Sequence, residues 1–158
     1  MNSSDLSYDF FEPGDLTALI CIDDPKLQEL VVEELSVLNY KLHIGLFAED
    51  ISLKLRTHTY NVVLIYENFG GNTLKSNPIL SECIQIPSME RRKQFLLLVG
   101  PSMITNDNMQ AFKFSVDMVC NETDLQNLMP ILNRGLVKHE EAYQAFNECM
   151  RMIGASVR

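Results

Sequence analysis

Apolar residues along this chain fall into short continuous runs separated by longer stretches with helical spacing. Residues 16–22 form one such run, closed by Asp23, Asp24 and Pro25. Residues 26–38 then place Leu27, Leu30, Val31, Leu35 and Leu38 three and four apart, with acidic side chains between them, which predicts an amphipathic helix. The alternation repeats: a strand over 41–47, a helix over 49–58, a strand over 62–66. A helix over 78–86 follows, with Pro78 in its first turn and Pro87 beyond its end. A strand over 95–99 is broken by Gly100–Pro101–Ser102, a helix over 106–114 has Thr105 as its expected cap, and a fifth strand covers 116–120. Thr123, with Gln126 three residues on, reads as a capping box opening the last helix.

Strands that read as uninterrupted apolar runs are buried on both faces, the signature of a parallel sheet with helices on each side. Right-handed crossovers leave few topologies. The pattern therefore predicts an α/β fold, a flavodoxin-like (βα)5 doubly wound parallel sheet of strand order 2-1-3-4-5 with an extended C-terminal helix. Residues 1–15 are expected to be a flexible lead-in, 16–135 the globular body, and 136–158 a helical extension.

At 158 residues the chain suits one well-filled domain, and 46% hydrophobic content excludes wholesale disorder. A formal net charge of -8 argues against non-specific nucleic-acid or anionic-membrane binding. The local basic run Arg91–Arg92–Lys93 reads as a solvated turn. Four scattered cysteines without a CxxC pair, no signal-peptide pattern and no membrane-length apolar window predict a reduced, cytoplasmic protein.

Chemistry is expected where the strands end, because ligand sites in such sheets gather at their carboxyl edge. With strands one and three adjacent, Asp23 and Asp24 converge there with Tyr66, Glu67 and Asn68. Paired acids suit a hard cation, and weak Mg²⁺ binding is the most that this pair supports; no other cofactor is expected. The same Asp-Asp-Pro also reads as an ordinary helix cap. No phosphate-cradling glycine motif and no nucleophile–base constellation is present, so the chain does not read as an enzyme.

The segments LICIDDPKLQEL (19–30), YNVVLIYENFGG (60–71) and SVDMVCNETDL (115–125) resemble the first, third and fifth strand regions of bacterial response-regulator receiver domains. That resemblance implies a metal-binding acid pair at Asp23 and Asp24, a phosphoacceptor position at Tyr66, a switch hydroxyl near Gly100 with Ser102 two residues on, and a phosphate-reading lysine at Glu122. A phenol replaces the acceptor carboxylate and an acid replaces the lysine. Glu67 is counted with Asp23 and Asp24 in the former acidic pocket; making it the third carboxylate takes a slip by one residue, which would flip residues 62–65 as well. The implied reading is a degenerate, phosphorylation-independent receiver-like module that acts by protein–protein interaction. The alternative is a small-molecule or nucleotide binder at the strand ends.

The tail carries a second pattern. Met129, Leu132, Leu136, His139, Tyr143, Phe146, Met150 and Ile153 alternate in steps of three and four. The part through about Leu136 is accounted for by packing on the chain's own body. Leu136, His139, Tyr143, Phe146 and Met150 are the expected surface for a protein partner or for self-association.

Overall fold

The computed structural model describes residues 11–157. Five parallel strands form one sheet: β1 (Thr17–Cys21), β2 (Lys41–Ile44), β3 (Val62–Tyr66), β4 (Phe95–Gly100) and β5 (Met118–Asn121). Their order is β2-β1-β3-β4-β5, as the apolar runs predict. The helices are α1 (Pro25–Val37), α2 (Ala48–Thr57), α3 (Pro78–Ile84), α4 (Ser88–Arg91), α5 (Asn108–Phe114) and α6 (Leu128–Val157).

Alternate strand residues feed two cores. Ala18, Ile20, Val62, Leu64, Leu97 and Val99 meet Val31 and Leu35 of α1 and Leu128 and Leu132 of α6. Leu19, Cys21, Val63, Ile65, Leu96 and Leu98 face the other way, onto Ile51, Ile79, Leu80 and Ala111 from α2, α3 and α5. Both sets are fully or almost fully buried, which is why the strands read as unbroken apolar runs.

Several boundaries differ from the expectation, each for a local reason. β2 stops at Ile44, because Gly45 lies against Ile51 and Phe47 is already the N-cap of α2. The helix expected over 78–86 ends at Ile84, and a separate four-residue α4 follows Pro87. Thr105 does not cap α5. Asp107 does, accepting from the Met109 and Gln110 amides, while Asn106 takes a left-handed turn at φ 66. The Thr123 capping box is also absent: Asn121 caps a 3₁₀ turn over Glu122–Asn127 that leads into α6.

In the Arg91–Arg92–Lys93 run Lys93 is exposed in a turn, as expected, but the two arginines are anchored to the body rather than solvated. Arg91 donates to Asp117 Oδ2 at 2.9 Å and to the Gln94 and Ser115 carbonyls. Arg92 donates to Asn147 Oδ1 and lies 4.9 Å above the Phe146 ring. Of the 1–15 lead-in, residues 1–10 lie outside the described residues. Phe11 stacks on His43 with centroids 4.3 Å apart, and Asp15 pairs with Lys41 at 2.8 Å.

α6 runs unbroken through Pro130 and Gly135. Pro130 stands in the first turn, where backbone N–H groups have no intrahelical acceptor. At Gly135 a Cβ would come within 2.9 Å of Met118 and Phe95, so glycine lets the helix approach the sheet closely. No helix among the described residues is long and apolar enough to cross a membrane.

Candidate functional site

Asp23, Asp24 and Tyr66 do gather at the carboxyl edge of the sheet, but each is engaged by the chain itself. Asp24 is the N-cap of α1: its Oδ1 accepts from the Lys26 and Leu27 amides at 3.0 and 3.1 Å. Asp23 reaches across to the loop after β3, where its Oδ2 accepts from the Gly70 amide at 2.8 Å. Gly70 presents that amide from a left-handed conformation (φ 70) that glycine adopts without strain.

Tyr66 ends β3 and sends its hydroxyl to Glu122 Oε2 at 3.0 Å. The repulsion expected of Glu122 beside the acid pair is thereby relieved by a donor. Burial, the Glu122 hydrogen bond and the surrounding carboxylates push the Tyr66 phenol up to about 12, so it stays protonated and donating at neutral pH. The phenol spans the ground between the acceptor and lysine positions of the resemblance and joins them.

Glu67 does not belong with that acidic group. Alternation along β3 turns it to the opposite face, where it is buried at 3% exposure. Ser102 donates to it twice, through its amide to Oε1 at 2.7 Å and its hydroxyl to Oε2 at 2.8 Å. Gly100 makes room: a Cβ there would stand 2.0 Å from Glu67 Oε1 and 2.2 Å from its Cγ. The switch-hydroxyl position is therefore filled by a carboxylate from β3, and the nearby hydroxyl of Ser102 is spent on it.

Three features escaped the sequence reading. Asn77 Nδ2 donates to the Tyr66 and Glu67 carbonyls while its Oδ1 caps α3, which clamps the end of β3 from below. Its position before Pro78 was the available signal. Thr105 donates to Asp124 and accepts from the Asn121 amide, tying the β4 and β5 exits together. The interlock of Gly100, Glu67 and Ser102 had no signal beyond a glycine at a strand end.

The residues present do not fit the metal that the resemblance implies. Asp23 and Asp24 each commit an oxygen to a backbone amide, the third carboxylate position is a phenol, and Glu67 points away. No group of three or more His, Cys, Asp or Glu among the described residues is placed to hold a metal ion.

On α6, Leu136, His139 and Tyr143 turn out to serve the chain's own body. Leu136 packs against the α1 side of the core. His139 meets Phe95 edge-on at 5.5 Å and Tyr143 at 4.8 Å. Its Nε2 is 3.7 Å from Asp117 Oδ1, and it is buried without a hydrogen bond. Burial, with Arg91 nearby, lowers the His139 pKa, although Asp117 acts in the other direction. Own-body contacts thus extend to Arg92 on Phe146 and Asn147, about three helical turns further than expected. Phe146 is nonetheless 42% exposed, and Met150 beyond it is half-buried.

No protein-family model matches the sequence, and no curated protein matches it significantly. Solved structures do match. HP1043, an orphan response regulator of H. pylori, is 14% identical, with a TM-score of 0.58 over 79% of this chain and 99% of that one. The signal receiver domain of an HD domain-containing protein from Pseudomonas fluorescens Pf-5 is 12% identical, with a TM-score of 0.61 over 85% and 96%. A yeast Spc42 trimeric coiled-coil segment fused to another structure is 16% identical, with a TM-score of 0.64 over 92% and 94%. At these identities the likeness is one of architecture: this chain has the fold of the response-regulator receiver domains.

Proposed function

We propose that the chain is a receiver-fold signalling module that works by protein recognition and without phosphoryl transfer. The observation that carries this reading is the Tyr66–Glu122 hydrogen bond, which occupies the acceptor and lysine positions with a phenol and the acid it serves. An acyl phosphate needs a carboxylate acceptor, a metal to screen it and a cation to read it. Here the acceptor is a phenol held protonated, the acid pair is committed to backbone amides, and Glu122 would repel a phosphoryl group. A non-catalytic role is part of this reading.

The partner surface in this reading is the distal part of α6. Thirty residues of helix span about 45 Å, whereas the six residues of β4 span about 20 Å. The helix outruns the body it covers. The likeness to a chain carrying a trimeric coiled coil, over nearly the full length of both, supports an association role for such an extension. All four cysteines are free, which supports a reducing compartment. For small ligands the structure offers less support: the cavities described, of about 370 and 260 Å³, lie between α5 and α6 and between α2 and α3, and neither is lined by Asp23, Tyr66 or Gly100.

Incubation with acetyl phosphate and Mg²⁺ followed by intact-mass spectrometry tests the reading. The mass is expected to stay unchanged. An acid-labile phosphoryl adduct on an aspartate or glutamate would overturn it.

A further inference from the structure

We infer that the cleft between α5 and α6 binds a small, flat, uncharged aromatic molecule whose hydroxyl bridges His139 and Asp117. The inference goes beyond the recognition reading and does not rest on it, because the cleft lies over β5, away from the strand-end edge.

The floor of the cleft is set by the first residues of β4 and β5. Phe95 and Met118 lie beneath α6, where Gly135 lets the helix come down onto them. Beyond Gly135 the helix carries His139, Ala142 and Tyr143 along one wall, and α5 supplies Ala111 and Phe112 along the other. The space between them is about 370 Å³, within the range of small-molecule sites. At ~30 Å³ per water it has room for about a dozen, so a single bridging water does not account for it.

One polar pair faces this space without a partner. His139 Nε2 is buried and makes no hydrogen bond. It stands 3.7 Å from Asp117 Oδ1, too far for a direct bond. The other oxygen of that carboxylate is committed, since Oδ2 accepts from Arg91 and from the Leu96 amide. An oxygen atom ~2.8 Å from both Nε2 and Oδ1 would see them roughly 80° apart. A hydroxyl meets that geometry by accepting from Nε2–H and donating to Oδ1. Buried polar atoms are costly to leave unpaired, so a ligand that bridges them gains affinity from the bond it completes.

The walls define the rest of the ligand. Phe95, Phe112, His139 and Tyr143 put four rings around the space. Phe112 is 82% exposed, so a flat aromatic molecule in the cleft removes apolar surface of α5 from water. Charge disfavours an anion: Asp107 and Asp117 line the cleft against Lys138 alone. Burial lowers the His139 pKa, so its ring is neutral at pH 7 and offers no counter-charge. A cation has little to gain either, because Arg91 already pairs with Asp117 at 2.9 Å.

Amide NMR titration of the full chain is the test, with 5-hydroxyindole, indole and indole-5-carboxylate as probes. The three share one two-ring plane and differ at a single edge. 5-Hydroxyindole is expected to shift the amides of Ala111, Asp117, His139 and Tyr143, with the roughly millimolar affinity of so small a molecule. Indole should bind about fivefold more weakly, and the carboxylate more weakly still. His139→Phe keeps a ring in place and removes Nε2, so it should bring 5-hydroxyindole and indole to equal affinity. Ala142 is exposed on its helix, so Ala142→Phe should leave the circular dichroism spectrum unchanged while filling the cleft and abolishing binding of both. No shift at these amides with 5-hydroxyindole, or shifts that persist in Ala142→Phe, would overturn the site. Equal affinity of 5-hydroxyindole and indole for the native chain would overturn the hydroxyl bridge. Either failure leaves the phosphorylation-free reading intact.

Discussion

Replacing Gly100 by alanine measures how tightly Glu67 fills the space at the end of β4. Its backbone is not left-handed, so alanine carries no conformational penalty there, and steric conflict is isolated. The added Cβ would lie 2.0, 2.2 and 2.3 Å from Oε1, Cγ and Cδ of Glu67, where ordinary contact begins near 3.4 Å. Rotating the carboxylate tip does not help, because Cγ is struck as well. Glu67 must move by more than an ångström from a site where it is 3% exposed, and doing so breaks both hydrogen bonds from Ser102. Overpacking costs about 1–3 kcal/mol. Unpairing the buried groups adds about 1–3 kcal/mol. Alanine returns roughly 0.4–1 kcal/mol through the unfolded chain. The net expectation is a loss of about 3 kcal/mol. The chain has no tryptophan, so urea unfolding followed by far-ultraviolet circular dichroism is the suitable assay. In a Glu67→Ala background the obstacle is gone, and Gly100→Ala should cost about zero, a coupling of roughly 2–3 kcal/mol. An equal cost in both backgrounds, or a loss under about 0.5 kcal/mol in the native one, would refute the interlock.

Two further outcomes follow from the tail anchors. Arg92→Ala removes the bond to Asn147 and the cation over Phe146, so amide exchange should quicken in residues 146–154 by roughly tenfold, with the strands unaffected; unchanged exchange would show the anchor to be idle. His139 has a folded pKa below its ordinary 6.5, so the unfolded chain binds the proton more readily. Stability is then complete above about pH 6.5 and declines as pH falls from there towards the folded value. An NMR titration should place His139 low, and lower again in Asp117→Asn, which removes the neighbour that favours the charged form; titration above 6.5 would contradict the burial argument.

Much of this molecule was legible because the sheet is buried on both sides. Apolar runs such as 62–65 and 95–99 have no polar face to blur them, and right-handed crossovers leave one natural order for five such strands. The acid pair and Tyr66 could likewise be brought together from strand adjacency alone. Glu67 was different. It was grouped with the acid pair in sequence, whereas its donors come from a loop 35 residues away, and nothing local in Tyr66–Glu67 encodes Ser102. The limit of the tail's own-body contact was hidden for a related reason. α4 is a four-residue helix, too short for any periodicity, yet it delivers Arg91 and Arg92 to the underside of α6. A basic triplet met in sequence looks solvated; the partners that desolvate it, Asp117 and Asn147, lie 26 and 55 residues further on.

The substitutions at the strand ends hold one another in place, which explains why the site is closed rather than merely worn. An aspartate at position 66 alone would leave Glu122 without its donor and add a further acid beside Asp24. A lysine at position 122 alone would meet no carboxylate from β3, and Tyr66 would lose its acceptor. A hydroxyl side chain at position 100 alone would strike Glu67. Each single reversion towards the receiver pattern thus breaks a contact of the present state before it regains any of the former one. The body has the strand order and helix layers of the receiver fold, while its carboxyl edge is tied down by Gly70, Glu122 and Ser102.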